Sequence, residues 1–173
     1  MQSNLHNIKI PLAGIVNDSI VDGTGMRLTI FVQGCPHKCQ GCHNPHTHAL
    51  EGGTEYTLLD LLENCKKNPL LSGITFSGGE PFLYAKDLAI LAKEVKLLGL
   101  NVWCYTGYVY EELLLKNNSD YRDLLSKIDV LIDGPFILSQ KDILLKFKGS
   151  KNQRIINLSA MRVKNTALPI ILN

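Results

Sequence analysis

The chain reads as an α/β protein built on an incomplete parallel (β/α) barrel, open on one side. Short β-branched and aromatic runs alternate with helix-period segments, the rhythm of βαβ units that pair strands in parallel. Every loop with chemical promise follows such a run, and α/β folds build their sites at the carboxyl ends of parallel strands. Length supplies the third observation. A complete eight-unit barrel takes about 250 residues, whereas this chain has 173 and five or six legible strands.

Ile8–Ile15 is apolar enough for an early strand, and the turn-rich Asn17-Asp18-Ser19 and Asp22-Gly23-Thr24-Gly25 follow it. Met26–Val32 is the next strand and runs into a loop at residues 33–45. Thr57 and Asp60 have capping-box spacing, and Leu58, Leu61, Leu62 and Cys65 repeat at helical intervals before Pro69. Gly73–Ser77 is a short strand leading into Gly78-Gly79-Glu80-Pro81. Lys86–Leu98 carries an apolar stripe of Leu88, Leu91, Ala92, Val95 and Leu98, with Gly99 as its stop. Asn101–Tyr105 is a strand ending at Thr106-Gly107, and helical segments at Tyr110–Lys116 and Tyr121–Ser126 come next. Ile128–Ile132 ends at Asp133-Gly134-Pro135, and Arg154–Leu158 completes the set.

Composition sets the bounds. With 45% hydrophobic and 20% charged residues, one globular domain over residues 1–173 is expected, with no repeat or linker to divide it. A net charge of +2 argues against a nucleic-acid partner. Residues 141–173 hold seven Lys/Arg against one acid, Asp142, while the rest of the chain holds eleven against fifteen. Such a basic segment is ordinarily a solvated face; an acidic docking partner is the minority alternative. Met1–Lys9 lacks the order of a signal peptide, and no apolar run approaches the ~20 residues that span a bilayer. Five cysteines, three of them clustered, favour metal or redox chemistry over a disulfide framework. A cytoplasmic protein away from membranes is expected.

The cluster is Cys35, Cys39 and Cys42, spaced Cys-x3-Cys-x2-Cys in a loop with two glycines and two prolines. Pairing two of them in a disulfide would strand the third. Three thiolates on iron leave one corner of a [4Fe–4S] cubane without a protein ligand, where electron carriers fill all four. A structural zinc site completed by His37, His43, His46 or His48 is the competing reading. In Ser77-Gly78-Gly79-Glu80-Pro81 the glycines allow close backbone approach to a ligand, with Glu80 facing an ammonium; in isolation the same residues make a turn. Cys65 and Cys104 read as small buried hydrophobes, and Phe76 and Trp103 as core. Arg27 reads equally as a charge-neutralising group or an exposed strand residue.

The cysteine loop followed by a Gly-Gly-Glu-Pro strand end resembles the radical S-adenosylmethionine superfamily. Six further stretches resemble its branch of anaerobic ribonucleoside-triphosphate reductase activating proteins. They are Asp22-Gly23-Thr24-Gly25-Met26-Arg27, residues 34–39, residues 41–45, Cys104-Tyr105-Thr106-Gly107-Tyr108, Asp133-Gly134-Pro135-Phe136 and residues 149–154. The resemblance implies a radical S-adenosylmethionine barrel in which Cys35, Cys39 and Cys42 each ligate one iron of a [4Fe–4S] cluster. It implies cofactor contacts at Gly41, Cys42 and His43, with His43 near the adenine. Gly78, Gly79 and Glu80 would hold the methionyl ammonium, and Asp133 the ribose. It further implies reductive cleavage of S-adenosylmethionine and formation of a glycyl radical on the reductase large subunit, with a flavodoxin- or ferredoxin-type electron donor. Pro135 stands where the pyruvate formate-lyase activases carry a lysine, which lowers the weight of that alternative substrate. A non-catalytic zinc or iron–sulfur module is the alternative outside the enzyme class.

Overall fold

A computed structural model describes residues 4–172. Seven strands form one sheet: β1 Lys9–Ser19, β2 Met26–Val32, β3 Thr54–Thr57, β4 Leu71–Gly78, β5 Asn101–Tyr105, β6 Val130–Asp133 and β7 Arg154–Asn157. Five helices accompany it: α1 Leu58–Lys67, α2 Ala85–Leu97, α3 Tyr110–Leu115, α4 Ser119–Lys127 and α5 Leu158–Lys164. The spatial order is β3-β1-β2-β4-β5-β6-β7. β2, β4, β5 and β6 are parallel, as the βαβ rhythm requires. The outer strands are not: β1 runs antiparallel to β2 and β3, and β7 antiparallel to β6. A parallel connection needs a dozen or more residues, and residues 20–25 between β1 and β2 are too few. The terminal strands β3 and β7 do not pair with each other, so the sheet stays open.

Period-two alternation gives the sheet two unlike faces. Leu28, Ile30 and Val32, Ile74 and Phe76, Val102 and Cys104, Leu131 and Ile156 share one buried core with the helices. Within it α1 contributes Leu58, Leu61 and Leu62, and α2 contributes Leu88, Leu91 and Val95; each such side chain stabilises the fold by about 2 kcal/mol. The α1 start is the expected capping box: Thr57 Oγ1 accepts the Asp60 N–H at 3.0 Å and Asp60 Oδ2 accepts the Thr57 N–H at 3.1 Å. The alternate residues face the other side of the sheet. There Trp103, Val130, Ile132 and Ile155 form a second, smaller core with Tyr105 and Phe147.

Arg27 also occupies this inner set and is fully buried, so it is not the exposed strand residue that one of its two readings expects. Its Nε donates to Thr75 Oγ1 at 2.6 Å, and its Nη atoms donate to Thr24 O, Ile74 O and the Asn101 side chain. The guanidinium lies 5.2 Å from the Trp103 ring centroid, and burial lowers its pKa to about 10. This one side chain ties β2, β4 and β5 together beneath the inner face. The short polar β3 and helix α5 have no strong sequence pattern; β3 forms because Lys9–Leu12 offers it an edge to pair with. No described helix is long and apolar enough to cross a membrane.

Candidate active site

The four parallel strands deliver four loops to one edge. β2 leads into the cysteine loop, β4 into Gly78-Gly79-Glu80, β5 into Thr106-Gly107, and β6 ends at Asp133 before Gly134. A cavity of about 570 Å³ opens among them. Cys35, Cys39, Cys42 and His43 line it together with Ser77, Gly78 and Gly79. Tyr105, Thr106, Gly107, Gly134 and Phe136 also contribute to its lining.

Close backbone approach explains the paired glycines, although the first thing they approach is the cysteine loop. A Cβ on Gly79 would stand 2.0 Å from Gly34 O, and one on Gly78 2.6 Å from the Phe31 backbone. Without those atoms the strap zips onto the loop: Gly79 N–H donates to Val32 O and Glu80 N–H to Gly34 O, both at 2.8 Å. Cys35, next along the chain, is thereby held against the end of β4.

Glu80 stands behind the cavity wall rather than on it, because its side chain is wholly buried. Its carboxylate accepts N–H bonds from Phe82 at 3.0 Å and Gly107 at 2.9 Å, the Thr106 hydroxyl at 3.0 Å, and His37 Nε2 at 2.7 Å. Glu80, expected opposite a ligand ammonium, thus has hydrogen-bond partners from three loops of the protein itself. Asp133, expected at the ribose, likewise has partners within the protein. It is buried, pairs with Arg154 through Nε at 3.0 Å and through Nη2, and accepts the Tyr110 N–H at 2.8 Å. Gly134 lines the cavity in its stead. Gly41 also lies off the lining set; a Cβ there would meet Leu138 at 2.8 Å. His43 does line the cavity, its ring 4.9 Å from that of Phe136.

All five cysteines are free thiols. Cys35, Cys39 and Cys42 are half-buried on the cavity, while Cys65 and Cys104 are buried in the core. Burial pushes the Cys35 thiol up and that of Cys65, in the core, up to about 12. The Asn44 N–H points to Cys42 Sγ at 3.3 Å, the charge-assisted contact a metal-bound sulfur accepts. Among the described residues, no three His, Cys, Asp or Glu side chains stand close enough to hold a single metal ion. A cubane takes one thiolate per iron, so its ligands stand farther apart than those around one ion. His48 lies on the same wall, and its Nε2 is buried without a hydrogen-bond partner, a polar atom that a bound group would meet. Three soft sulfur donors too far apart for a single ion fit an iron–sulfur cluster; His37, one candidate for a zinc-site histidine, is engaged by Glu80.

Sequence reasoning missed the outer ring of this site. Phe136, Lys148, Gly149 and Gln153 line it from the segment between β6 and β7. The signal was present in Gly149-Ser150-Lys151-Asn152-Gln153-Arg154. Gln153 Oε1 accepts the Gly149 N–H at 2.8 Å and the Ser150 N–H at 3.2 Å, and its amide donates to Gly134 O at 3.0 Å. That clamp folds the returning segment over the cavity.

Comparison with known proteins places this geometry. A sequence profile described as a 4Fe-4S single cluster domain matches residues 21–156. The chain is 38% identical over 147 residues to the anaerobic ribonucleoside-triphosphate reductase-activating protein of Vibrio cholerae, covering 79% of this chain and 90% of that protein. It is 34% identical over 148 residues to the protein of the same name from Escherichia coli, covering 80% and 93%. Among solved structures, Escherichia coli QueE overlays with a TM-score of 0.46 at 18% identity, covering 61% of this chain and 55% of that one.

Proposed function

The chain belongs to the radical S-adenosylmethionine family of 4Fe-4S single cluster domains, among the anaerobic ribonucleoside-triphosphate reductase-activating proteins, and from that premise we propose that it is the activase of such a reductase. It cleaves S-adenosylmethionine reductively and leaves a glycyl radical on the reductase large subunit. One observation carries this reading. Three thiols, and not four, meet at the cavity, since the other two cysteines are sealed in the core. A cluster held there keeps one iron open to substrate.

Cys35, Cys39 and Cys42 would hold the cluster. When bound, the cluster supplies the electron that splits the C5′–S bond of S-adenosylmethionine, giving methionine and a 5′-deoxyadenosyl radical that takes hydrogen from a glycine Cα. The protein supplies placement. The backbones of Gly78 and Gly79 lie bare on the wall beside the cysteines, where their carbonyls can accept from the methionyl ammonium. His43, backed by Phe136, offers a flat surface to the adenine. Tyr105, Thr106 and Phe136 enclose the radical's path and keep water from quenching it.

The inner face of the sheet is where the reductase enters. A second cavity of about 1300 Å³ lies along the inner face, bordered by Trp103 and Ile155, and shares Leu145, Phe147, Lys148 and Gln153 with the first. Lys146, Lys148 and Lys151 border this entry and suit an acidic partner segment. A flavodoxin- or ferredoxin-type protein is the matching electron donor.

The test is anaerobic reconstitution with iron and sulfide, reduction, and assay of 5′-deoxyadenosine from S-adenosylmethionine. Mixing with the anaerobic reductase should then produce a glycyl radical signal in electron paramagnetic resonance. Cys39→Ala should abolish both products. Full cleavage by that variant, or a colourless protein holding zinc, overturns the reading.

A further inference from the structure

Beyond lining the cavity, the stretch Cys104-Tyr105-Thr106-Gly107-Tyr108 brings several residues onto one buried acid. Thr106 Oγ1 lies 3.0 Å from both Glu80 oxygens, and the Gly107 N–H reaches Oε2 at 2.9 Å. His37, midway between Cys35 and Cys39, places Nε2 2.7 Å from the same Oε2. Since the carboxylate already gathers backbone and hydroxyl donors, it accepts here too and His37 Nε2–H donates. The Tyr108 ring stands edge-on to His37 with centroids 4.5 Å apart. Gly107 is required for the fit, as a Cβ there would lie 2.4 Å from His37 Cδ2.

From these contacts we propose that Glu80 is a positioning residue that sets the cysteine loop through His37, and that it makes no contact with the ligand ammonium. This rests on the cluster reading given above. Three strand ends thus share one anchor: β2 through His37, β4 through Glu80, and β5 through Thr106 and Gly107. The loop is also held at its root, where Gly34 and Cys35 meet Thr47, His48 and Glu80 through the backbone and Gln33 bonds to Ala49 O and accepts from the Tyr84 hydroxyl. The His37–Glu80 contact fixes its middle, between two of the three iron ligands. Partners that orient metal ligands typically change affinity by 10–100-fold when lost, and this contact acts on Cys35 and Cys39 through the loop backbone between them. The ammonium is left to the Gly78 and Gly79 backbones on the cavity wall.

The test compares wild type, Glu80→Gln, His37→Ala, Gly107→Ala and His37→Gln, each reconstituted anaerobically with iron and sulfide. Iron retention against a chelator, the resonance spectrum of the reduced cluster, and S-adenosylmethionine affinity per bound cluster are measured. His37→Ala and Gly107→Ala should lower retention on the order of 10–100-fold and alter the spectrum, with affinity per cluster unchanged. His37→Gln, which restores an N–H donor, should recover both. Glu80→Gln should match His37→Ala; if its apoprotein does not fold, the two loop variants decide alone. Wild-type retention and spectrum in folded His37→Ala and Gly107→Ala overturn the proposal. So does weakened S-adenosylmethionine binding in Glu80→Gln at wild-type retention. A wild-type chain that builds no cluster would instead sink the activase reading before any variant is compared.

Discussion

Gly79→Ala is the sharpest probe of how the site is assembled. The new Cβ would sit 2.0 Å from Gly34 O and 2.7 Å from Gly34 C. Both are backbone atoms of the cysteine loop, so no side chain can swing aside. Reaching an ordinary 3.4 Å contact needs a separation of about 1.4 Å. That breaks the two 2.8 Å bonds from the Gly79 and Glu80 N–H groups. With a net value near 1 kcal/mol each, and more where a buried donor is orphaned, the loss is about 2–4 kcal/mol. For a chain of this size the midpoint of thermal unfolding should fall by roughly 5–15 °C, and cluster loading should drop because Cys35 moves with Gly34. Two controls isolate the cause. Gly99 has φ +80° and nothing within 4 Å of a Cβ, so Gly99→Ala should cost only the backbone strain of about 1–2 kcal/mol. Gly14 has open space and an ordinary φ, so Gly14→Ala should stay within about 0.5 kcal/mol of wild type. Calorimetry of the apoproteins and iron content after reconstitution provide the readouts. A Gly79→Ala protein as stable as Gly99→Ala, with full iron, would refute the zipped-loop account.

Arg154→Ala should destabilise the apoprotein by roughly 2 kcal/mol in urea melts, because buried Asp133 loses its cation; Arg154 is one-third exposed, which keeps the loss below the 3–5 of a sealed pair. Asp129 is destabilised as an anion by burial, but donors from Lys96, Ser159 and the Val102 N–H outweigh this and hold its pKa below the ordinary 3.8. A depressed carboxylate pKa contributes stability that is present above the unfolded value and lost as pH falls through the folded one. The urea midpoint should therefore drop below about pH 4, with a shallower drop in Asp129→Asn. Iodoacetamide at pH 8 should label Cys39 and Cys42 of the native apoprotein first, Cys35 more slowly because burial pushes its thiol up, and spare Cys65 and Cys104, which are buried in the core; mass spectrometry showing five early adducts would contradict that burial.

Much of the architecture was written in short-range pattern. Strands β2 and β5 match their sequence limits residue for residue, because alternating apolar residues bounded by glycine are a local signal. The α1 capping box and the α2 stripe are local in the same sense. Parallel order was legible only in the middle of the sheet; β7 turns antiparallel at its edge and β3 has no apolar face to announce it. Arg27 shows the limit from the other side. A charged residue in a strand reads as exposed, yet five donors find acceptors on β4, β5 and a turn, and such acceptors cannot be counted along the chain.

The cysteine spacing, the helix periodicity and the placing of each glycine-bearing loop after a strand were properties of the polypeptide itself, since they depend on neighbours a few residues apart. They sufficed to bring the three thiols, His43, Gly78 and Gly79 to one rim. What Glu80 and Asp133 do there was decided by folding alone. Glu80 meets His37 across 43 positions and Thr106 across 26, and Asp133 meets Arg154 across 21. Contacts that distant exist only once the sheet has closed the gaps between its loops, and a buried carboxylate bonds to whatever donors the completed packing brings within reach.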